Sequence, residues 1–207
     1  MSTTDRAPVV FIVDDDDAVR TSLGLLLKAH HIKSVAYASA ADLLAAHDPQ
    51  LPGCALVDIR MPGMSGLELQ EELNRRGAIV PVIFITGHGD VPMVVQAMRQ
   101  GAFDFLQKPF REEDLLPRIE RAIARDRENR QLLREQDQIR TRFESLTPRE
   151  RQVLKLVTGG QPNKVMAAEL GVSQRTVEIH RAHLMEKMGA SSLAHLVRME
   201  MSLGSSQ

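Results

Sequence analysis

Short apolar runs of strand length alternate with segments of helical spacing along the first half of this chain, and no other feature limits its fold so strongly. Val9 to Val13, Ile32 to Tyr37, Cys54 to Asp58, Val80 to Ile85 and Phe103 to Leu106 have the length and the branched or aromatic content of strands. Between them, Val19, Leu23, Leu26 and Leu27, and later Val91, Val94, Val95 and Met98, recur as one face of a helix does. A strand that leads into a helix and back to a strand builds a parallel sheet with helices on both faces. Five such units predict a doubly wound α/β domain, whose ligand site lies beyond the carboxyl ends of the strands where strand order reverses.

The rest of the chain reads differently. From Arg111 to Ser145 there is no Gly, only Pro117 interrupts, and charges of both signs alternate, which predicts a long solvated helix. Within it Leu132, Gln136, Ile139, Phe143 and Leu146 form a short heptad-like stripe, open to two readings: pairing with a second copy, or packing against the chain's own domains. Thr147-Pro148-Arg149-Glu150 is a capping box with Pro at the first helical position, so a new domain starts there. Val153, Leu154, Leu156 and Val157 give that helix its inner face and Gly159-Gly160 end it. A short helix from about Asn163 to Leu170, Gly171 as a turn, Ser173 as a cap and a longer helix to Met188 give the layout of a helix-turn-helix. The expected division is 1–122, a linker helix over 123–145, and 146–207.

Charge follows the same division. Net charge is −1, yet residues 1–124 hold 12 Lys/Arg against 17 Asp/Glu, and residues 145–207 hold 8 against 5. A basic tail suits nucleic acid, although many basic surfaces are merely solvated. The single cysteine, Cys54, rules out an internal disulfide and a cysteine-rich zinc site. No apolar run approaches the roughly 20 residues that cross a bilayer, and MSTTDRAPVV lacks the anatomy of a signal peptide. A cytoplasmic protein with no membrane partner is expected.

The chemistry concentrates at strand ends. Asp14, Asp15, Asp16 and Asp17 follow the first strand and Asp58 closes the third. In a doubly wound sheet those strands are neighbours, so Asp14, Asp15 and Asp58 converge. Crowded carboxylates are relieved by protonation or by a hard divalent cation, for which Mg2+ is the natural choice. Asp16 and Asp17 read equally well as caps of the next helix. Thr86 after the fourth strand and Lys108 after the fifth add a hydroxyl and an ammonium to the same end of the sheet.

These residues resemble those of the receiver domains of two-component response regulators. The match lies in Val13-Asp14-Asp15, the stretch from Val57-Asp58-Ile59-Arg60-Met61-Pro62 to Gly66, Thr86-Gly87, and Phe105 with Lys108-Pro109-Phe110, across about the first 120 residues. The resemblance implies a flavodoxin-like (βα)5 receiver phosphorylated on Asp58 by a sensor histidine kinase. It also implies Mg2+ on Asp15, Asp58 and the backbone oxygen of Arg60, with Asp14 acting through water. Lys108 would pair with the phosphoryl oxygens and Thr86 would move to hydrogen-bond one of them. Phe105, otherwise an ordinary strand aromatic, would turn inward, and Lys108-Pro109 would be cis.

Residues from about Leu146 to Val197 resemble the all-α, four-helix DNA-binding domain of the NarL/FixJ (LuxR-type) regulators. Leu146-Thr147-Pro148-Arg149-Glu150-Arg151, Asn163-Lys164, Ala167 to Ser173 and Arg175-Thr176-Val177-Glu178-Ile179-His180-Arg181 carry that match. The stretch Thr86-Gly87-His88-Gly89-Asp90 and the long joining helix resemble the FixJ-type branch. Val177, Leu184 and Met188 should face the core, leaving Gln174, Arg175, Glu178, Ile179, Arg181, Ala182 and Met185 outward. In the major groove Glu178 accepts from a cytosine amino group and Ile179 or Ala182 touches a thymine methyl, while Lys164, Arg175, Thr176 and Arg181 suit phosphates. His180 reads either as a phosphate contact or as a half-buried histidine, and Glu178 either reads a base or pairs with Arg181.

One such module meets few phosphates, so a homodimer formed on phosphorylation is expected on two-fold-related double-stranded DNA, with RNA polymerase as a further partner. An Asp nucleophile with Mg2+ also describes aspartyl-phosphate phosphatases. Those place a second Asp two residues on, where this chain has Arg60, so no enzyme is expected. RNA as the target is disfavoured because the tail lacks the aromatics that stack on single-stranded bases.

Overall fold

The structure, a computed structural model, describes residues 6–87 and 91–204. Its first compact unit, Met1–Arg130, is a five-stranded parallel sheet in the order β2-β1-β3-β4-β5. The strands are β1 (Val9–Val13), β2 (Lys33–Tyr37), β3 (Gly53–Asp58), β4 (Val82–Thr86) and β5 (Asp104–Gln107). Between them run α1 (Asp17–Ala29), α2 (Ala40–Ala46), α3 (Gly66–Arg75) and α4 (Val91–Arg99). Three strands start later than the apolar runs suggest, at Lys33, Val82 and Asp104. At the second of these the Pro81 carbonyl accepts from the Ala55 N–H, so pairing with β3 begins at Pro81 even though the strand itself begins one residue on.

Alternation along each strand decides which layer it feeds. Val10 and Ile12 of β1, Cys54 and Leu56 of β3 and Ile83 and Ile85 of β4 bury one face under α1 and the first turns of α5 (Glu112–Glu144), through Leu23, Leu27, Leu115 and Ile119. Phe11, Val13, Ala55, Val57 and Phe84 bury the other face, with Leu43 of α2, Leu69 and Leu73 of α3 and Ala97 of α4. Central β3 is buried throughout, and burial pushes the Cys54 thiol up to about 12, which leaves it inert. Edge strands β2 and β5 are half exposed.

The end of the sheet opposite the acidic residues holds a clasp that the sequence reading did not foresee. Asp126 of α5 is fully buried, and its Oδ2 accepts from the Gly53 N–H at 2.9 Å and from Arg130 Nε at 2.7 Å. The two remaining Arg130 nitrogens donate to the carbonyls of Pro49 and Leu51, each at 2.7 Å. Gly53 admits no side chain, since at φ 153° a Cβ would sit 1.8 Å from the Val9 carbonyl oxygen. The clasp carries the first unit to Arg130, past the boundary expected at 122, and the expected linker 123–145 is no separate element but the greater part of α5.

The second unit, Gln131–Gln207, contains the end of α5 and four helices: α6 (Pro148–Thr158), α7 (Asn163–Leu170), α8 (Gln174–Met188) and α9 (Leu193–Gly204). Its core joins Val153, Leu154, Met166, Val177, Leu184, Met188, Leu196 and Met199, and Ile139 and Phe143 of α5 pack against it beside buried Leu146. Of the stripe's two readings, packing against its own unit holds from Ile139 onward, while Leu132 is 57% exposed and Gln136 is exposed. Arg142 adds a polar grip by donating to the Met188 carbonyl at 3.0 Å. The capping box forms, and the Glu150 carboxylate that closes it also takes Lys187 Nζ at 2.8 Å, tying α6 to α8.

Candidate functional site

Parallel register brings the acidic residues together. Val13 of β1 lies opposite Val57 of β3, so Asp14 and Asp58, each one residue further, emerge side by side where the strand order reverses. Asp58 in turn pairs with Ile85 of β4, which places Thr86 one step beyond. The Lys108 N–H donates to the Thr86 carbonyl at 2.7 Å, fixing the loop after β5 against β4, and the Lys108-Pro109 peptide is cis as the resemblance implies. On the far side, Gly66 opens α3 so close to β3 that a Cβ there would meet the Asp58 carbonyl at 2.3 Å. The Ser65–Glu68 capping box fixes that helix start.

Inside this frame Lys108 Nζ lies 2.7 Å from Asp14 Oδ2 and 2.9 Å from Asp58 Oδ1. Both carboxylates are buried, and Thr86 is buried beside them in the sheet. Burial works against the Lys108 charge, but hydrogen bonds to Asp14 and Asp58 outweigh it, and the ammonium titrates above its ordinary range. The second oxygen of Asp58 accepts the Arg60 N–H at 2.7 Å, and that of Asp14 accepts the Asp16 N–H at 2.9 Å. Asp16 is the N-cap of α1 and Asp17 sits in its first turn, so these two take the structural roles open to them.

Asp15 is exposed, and among the described residues no three His, Cys, Asp or Glu side chains group as metal ligands. Lys108 stands between Asp58, expected to hold the cation, and Asp14, expected to act on it through water. Donor chemistry still suits Mg2+, which takes few carboxylates and keeps several waters. Asp14, Asp58, the Arg60 carbonyl and outward-facing Asp15 offer hard oxygens and no nitrogen or sulfur. Phe105 on edge strand β5 is 38% exposed, and Val95 and Met98 of α4 are exposed too. His88, Gly89 and Asp90 of the FixJ-type stretch lie outside the described residues.

In the second unit α8 carries the expected face. Val177, Leu184 and Met188 are buried, whereas Gln174, Arg175, Glu178 and Ala182 are exposed and Ile179 is 47% exposed. Ser173 caps the helix through the Thr176 N–H and leaves Thr176 half-buried. His180 is half-buried, Lys164 on α7 is exposed, and Glu178 has no ion pair among the described residues. Two residues depart from expectation. Met185 is half-buried against the core rather than outward. Arg181 donates to Asn163 Oδ1 at 2.6 Å, so part of its guanidinium joins α7 to α8.

The sequence reading missed Arg20, Asp126, Arg130 and Arg142. Asp126–Arg130 has i, i+4 spacing and Asp17–Arg20 i, i+3 spacing, which alone read as solvated helix pairs. The backbone carbonyls that make these arginines matter belong to other segments or to the preceding turn.

Residues 10–120 match the response regulator receiver domain, and residues 144–200 match the bacterial regulatory proteins of the luxR family. The chain is 48% identical over 196 residues to nodulation protein W of Bradyrhizobium diazoefficiens, covering 95% of this chain and 86% of that protein. It is 46% identical over 195 residues to the transcriptional regulatory protein FixJ of Azorhizobium caulinodans, covering 94% and 92%. Among solved structures, the response regulator StyR has a TM-score of 0.85 at 45% identity and covers 94% of this chain and 98% of its own. A receiver fold with its carboxylates on a lysine, followed by a helix-turn-helix, agrees with those matches over nearly the whole length, and the chain belongs to the transcriptional response regulators that join a receiver domain to a LuxR-type DNA-binding domain.

Proposed function

We propose that Asp58 accepts a phosphoryl group from a partner histidine kinase, and that the modified chain pairs with a second copy and binds a two-fold-related duplex site. The observation that carries this reading is the Asp14–Lys108–Asp58 constellation at the switch point of the sheet, on one chain with an exposed recognition helix. The Asp58 carboxylate attacks phosphorus as the bond from phosphorus to the donor breaks. Asp15, Asp58 and the Arg60 carbonyl would hold Mg2+, with Asp14 acting through water, and the cation would offset charge on the transferring group. Lys108, already on both carboxylates, is placed to follow the new phosphoryl oxygens as a point charge.

Thr86 then moves its hydroxyl toward the phosphoryl group and Phe105 turns inward into the vacated space. That removes one apolar side chain from a surface on which Val95 and Met98 are also exposed. A changed α4–β5 surface biases two copies toward association, which is the population shift that puts two recognition helices on one duplex. On DNA, Glu178, Ile179 and Ala182 would read base edges, with Gln174 beside them, and Lys164, Arg175, Thr176 and the free part of Arg181 would meet phosphates. His180, half-buried, is the weakest of the proposed contacts. RNA polymerase would be met only by the DNA-bound pair.

The test is selection from random duplex DNA by the purified chain, with and without Mg2+ and a small phosphoryl donor, with intact mass read in parallel. Enrichment of a two-fold-symmetric site in the phosphorylated arm supports the reading. A confirmed phosphoryl gain with no enriched duplex removes the DNA-binding output, and unchanged sedimentation on phosphorylation removes the dimer.

A further inference from the structure

Arg20 lies in the first turns of α1 with its side chain largely covered. Its Nη1 donates to the backbone carbonyl of Asp14 at 2.7 Å, and its Nη2 to Asp17 Oδ1 at 2.9 Å. The second bond reaches a carboxylate that is 86% exposed, and such an exposed i, i+3 pair contributes little. The first is half-buried and charge-assisted, and it ends on the residue that supplies one of the two buried carboxylates of the pocket.

With Arg20 in place every oxygen of Asp14 is held. Oδ1 takes the Asp16 N–H, Oδ2 takes Lys108 and the carbonyl takes Arg20, while the Asp14 N–H donates to the Tyr37 carbonyl at 3.3 Å. Asp14 to Asp17 are four consecutive carboxylates between a strand and a helix, and their mutual repulsion favours opening the turn. A guanidinium fork that bridges the first and last of the four opposes it.

We infer that Arg20 is a positioning residue for the divalent cation of the acidic pocket: it clamps the 14–17 turn in the shape from which Asp15 offers an oxygen to Mg2+ and Asp14 acts through water. The inference rests on the reading of that pocket as the Mg2+-assisted phosphoryl site. Charge and geometry pull in opposite directions here, which makes the clamp separable from a plain electrostatic role. A positive group beside a cation site weakens cation binding by repulsion, so an Arg20 that acted only through charge would give tighter Mg2+ binding in Arg20→Gln and wild-type binding in Arg20→Lys. A clamp requires the planar fork, which lysine lacks.

The experiment is a Mg2+ titration of the full chain without any phosphoryl donor, followed through the backbone amide signals of residues 14–18 and 58–60. Wild type, Arg20→Lys and Arg20→Gln are compared, with amide hydrogen exchange of residues 14–18 measured before Mg2+ is added. The clamp predicts a Kd raised about threefold to tenfold in both variants, the loss of one partly screened hydrogen bond, and faster exchange in the turn. Wild-type affinity in Arg20→Lys, or tighter binding in Arg20→Gln, overturns it; if Arg20→Gln does not fold, Arg20→Lys decides alone. No Mg2+ binding by the wild type overturns it as well. Mg2+ binding without any phosphoryl gain on Asp58 defeats the phosphorylation reading and leaves the clamp to be judged on these affinities.

Discussion

The acidic pocket draws Asp14, Asp58, Thr86 and Lys108 from four different strand ends and satisfies the two carboxylates inside the protein, whereas α8 presents its outward face from consecutive turns of one helix and leaves it to solvent. In the first region the sheet's register brings together groups distant in sequence, so each side chain is restrained by several others and a change at one is felt by all. In the second, the buried stripe Val177, Leu184 and Met188 fixes the helix and the outward residues are nearly independent. Substitutions in the pocket should therefore couple, and those on α8 should add.

The contrast breaks first where a buried charge is left alone. Asp126→Ala strips the Gly53 N–H and the Arg130 guanidinium of their buried partner, and the receiver unit should lose about 3 kcal/mol in chemical denaturation, with the α8 unit unaffected. A loss under about 1 kcal/mol would mean that solvent reaches the site and the clasp is idle. A smaller loss, about 2 kcal/mol, is expected for Lys108→Met, which leaves Asp14 and Asp58 facing each other at a partly exposed site. Added Mg2+ should restore more stability to that variant than to the wild type, because a cation then does what the ammonium did. Equal Mg2+ responses would detach Lys108 from the cation site.

On α8 the expected effects are local. Glu178→Ala or Ile179→Ala should change preference at one base position by about 1–3 kcal/mol while leaving others alone. Arg175→Ala should weaken binding evenly across sequences and lower the salt slope by about one. Evenly weakened binding in all three variants would show that this face touches only the backbone.

Acid separates the two units most gently. His47 is lowered from its ordinary 6.5 by burial, then by the Arg130 charge, so the unfolded chain takes up its proton first. Receiver stability should fall as pH drops below about 6.5, and His47→Gln should flatten that fall. Glu150 is lowered from 4.5 to about 2, chiefly by its hydrogen bond from Lys187, so its contribution is present above pH 4.5 and lost as pH falls toward 2. Glu150→Gln should remove that loss from the helical unit alone. Identical acid profiles in the two units would contradict both assignments.

Much of this was legible in the chain itself. Strand–helix alternation forces a parallel sheet, and a parallel sheet puts every strand's carboxyl end on one side, so Asp14, Asp58, Thr86 and Lys108 had to meet. The inner stripe of α8 follows from helical spacing, but Met185 sits at its margin, where spacing alone does not decide burial. Asp126 and Arg130 read as a solvated pair because nothing local says that the 49–53 backbone closes over them. Asp15 lies two residues past the end of β1, so the register brings its backbone to the site but does not fix its carboxylate, which stands exposed.

The central claim, that phosphorylation of Asp58 controls DNA binding, is tested most directly by the affinity of the full chain for one selected two-fold duplex at fixed salt, with and without a phosphoryl donor. The account predicts binding at least about tenfold tighter in the phosphorylated protein, a coupling of ordinary allosteric size, and no response in Asp58→Asn. Equal affinities in both states despite a complete phosphoryl mass gain, or the same tightening in Asp58→Asn, would contradict it.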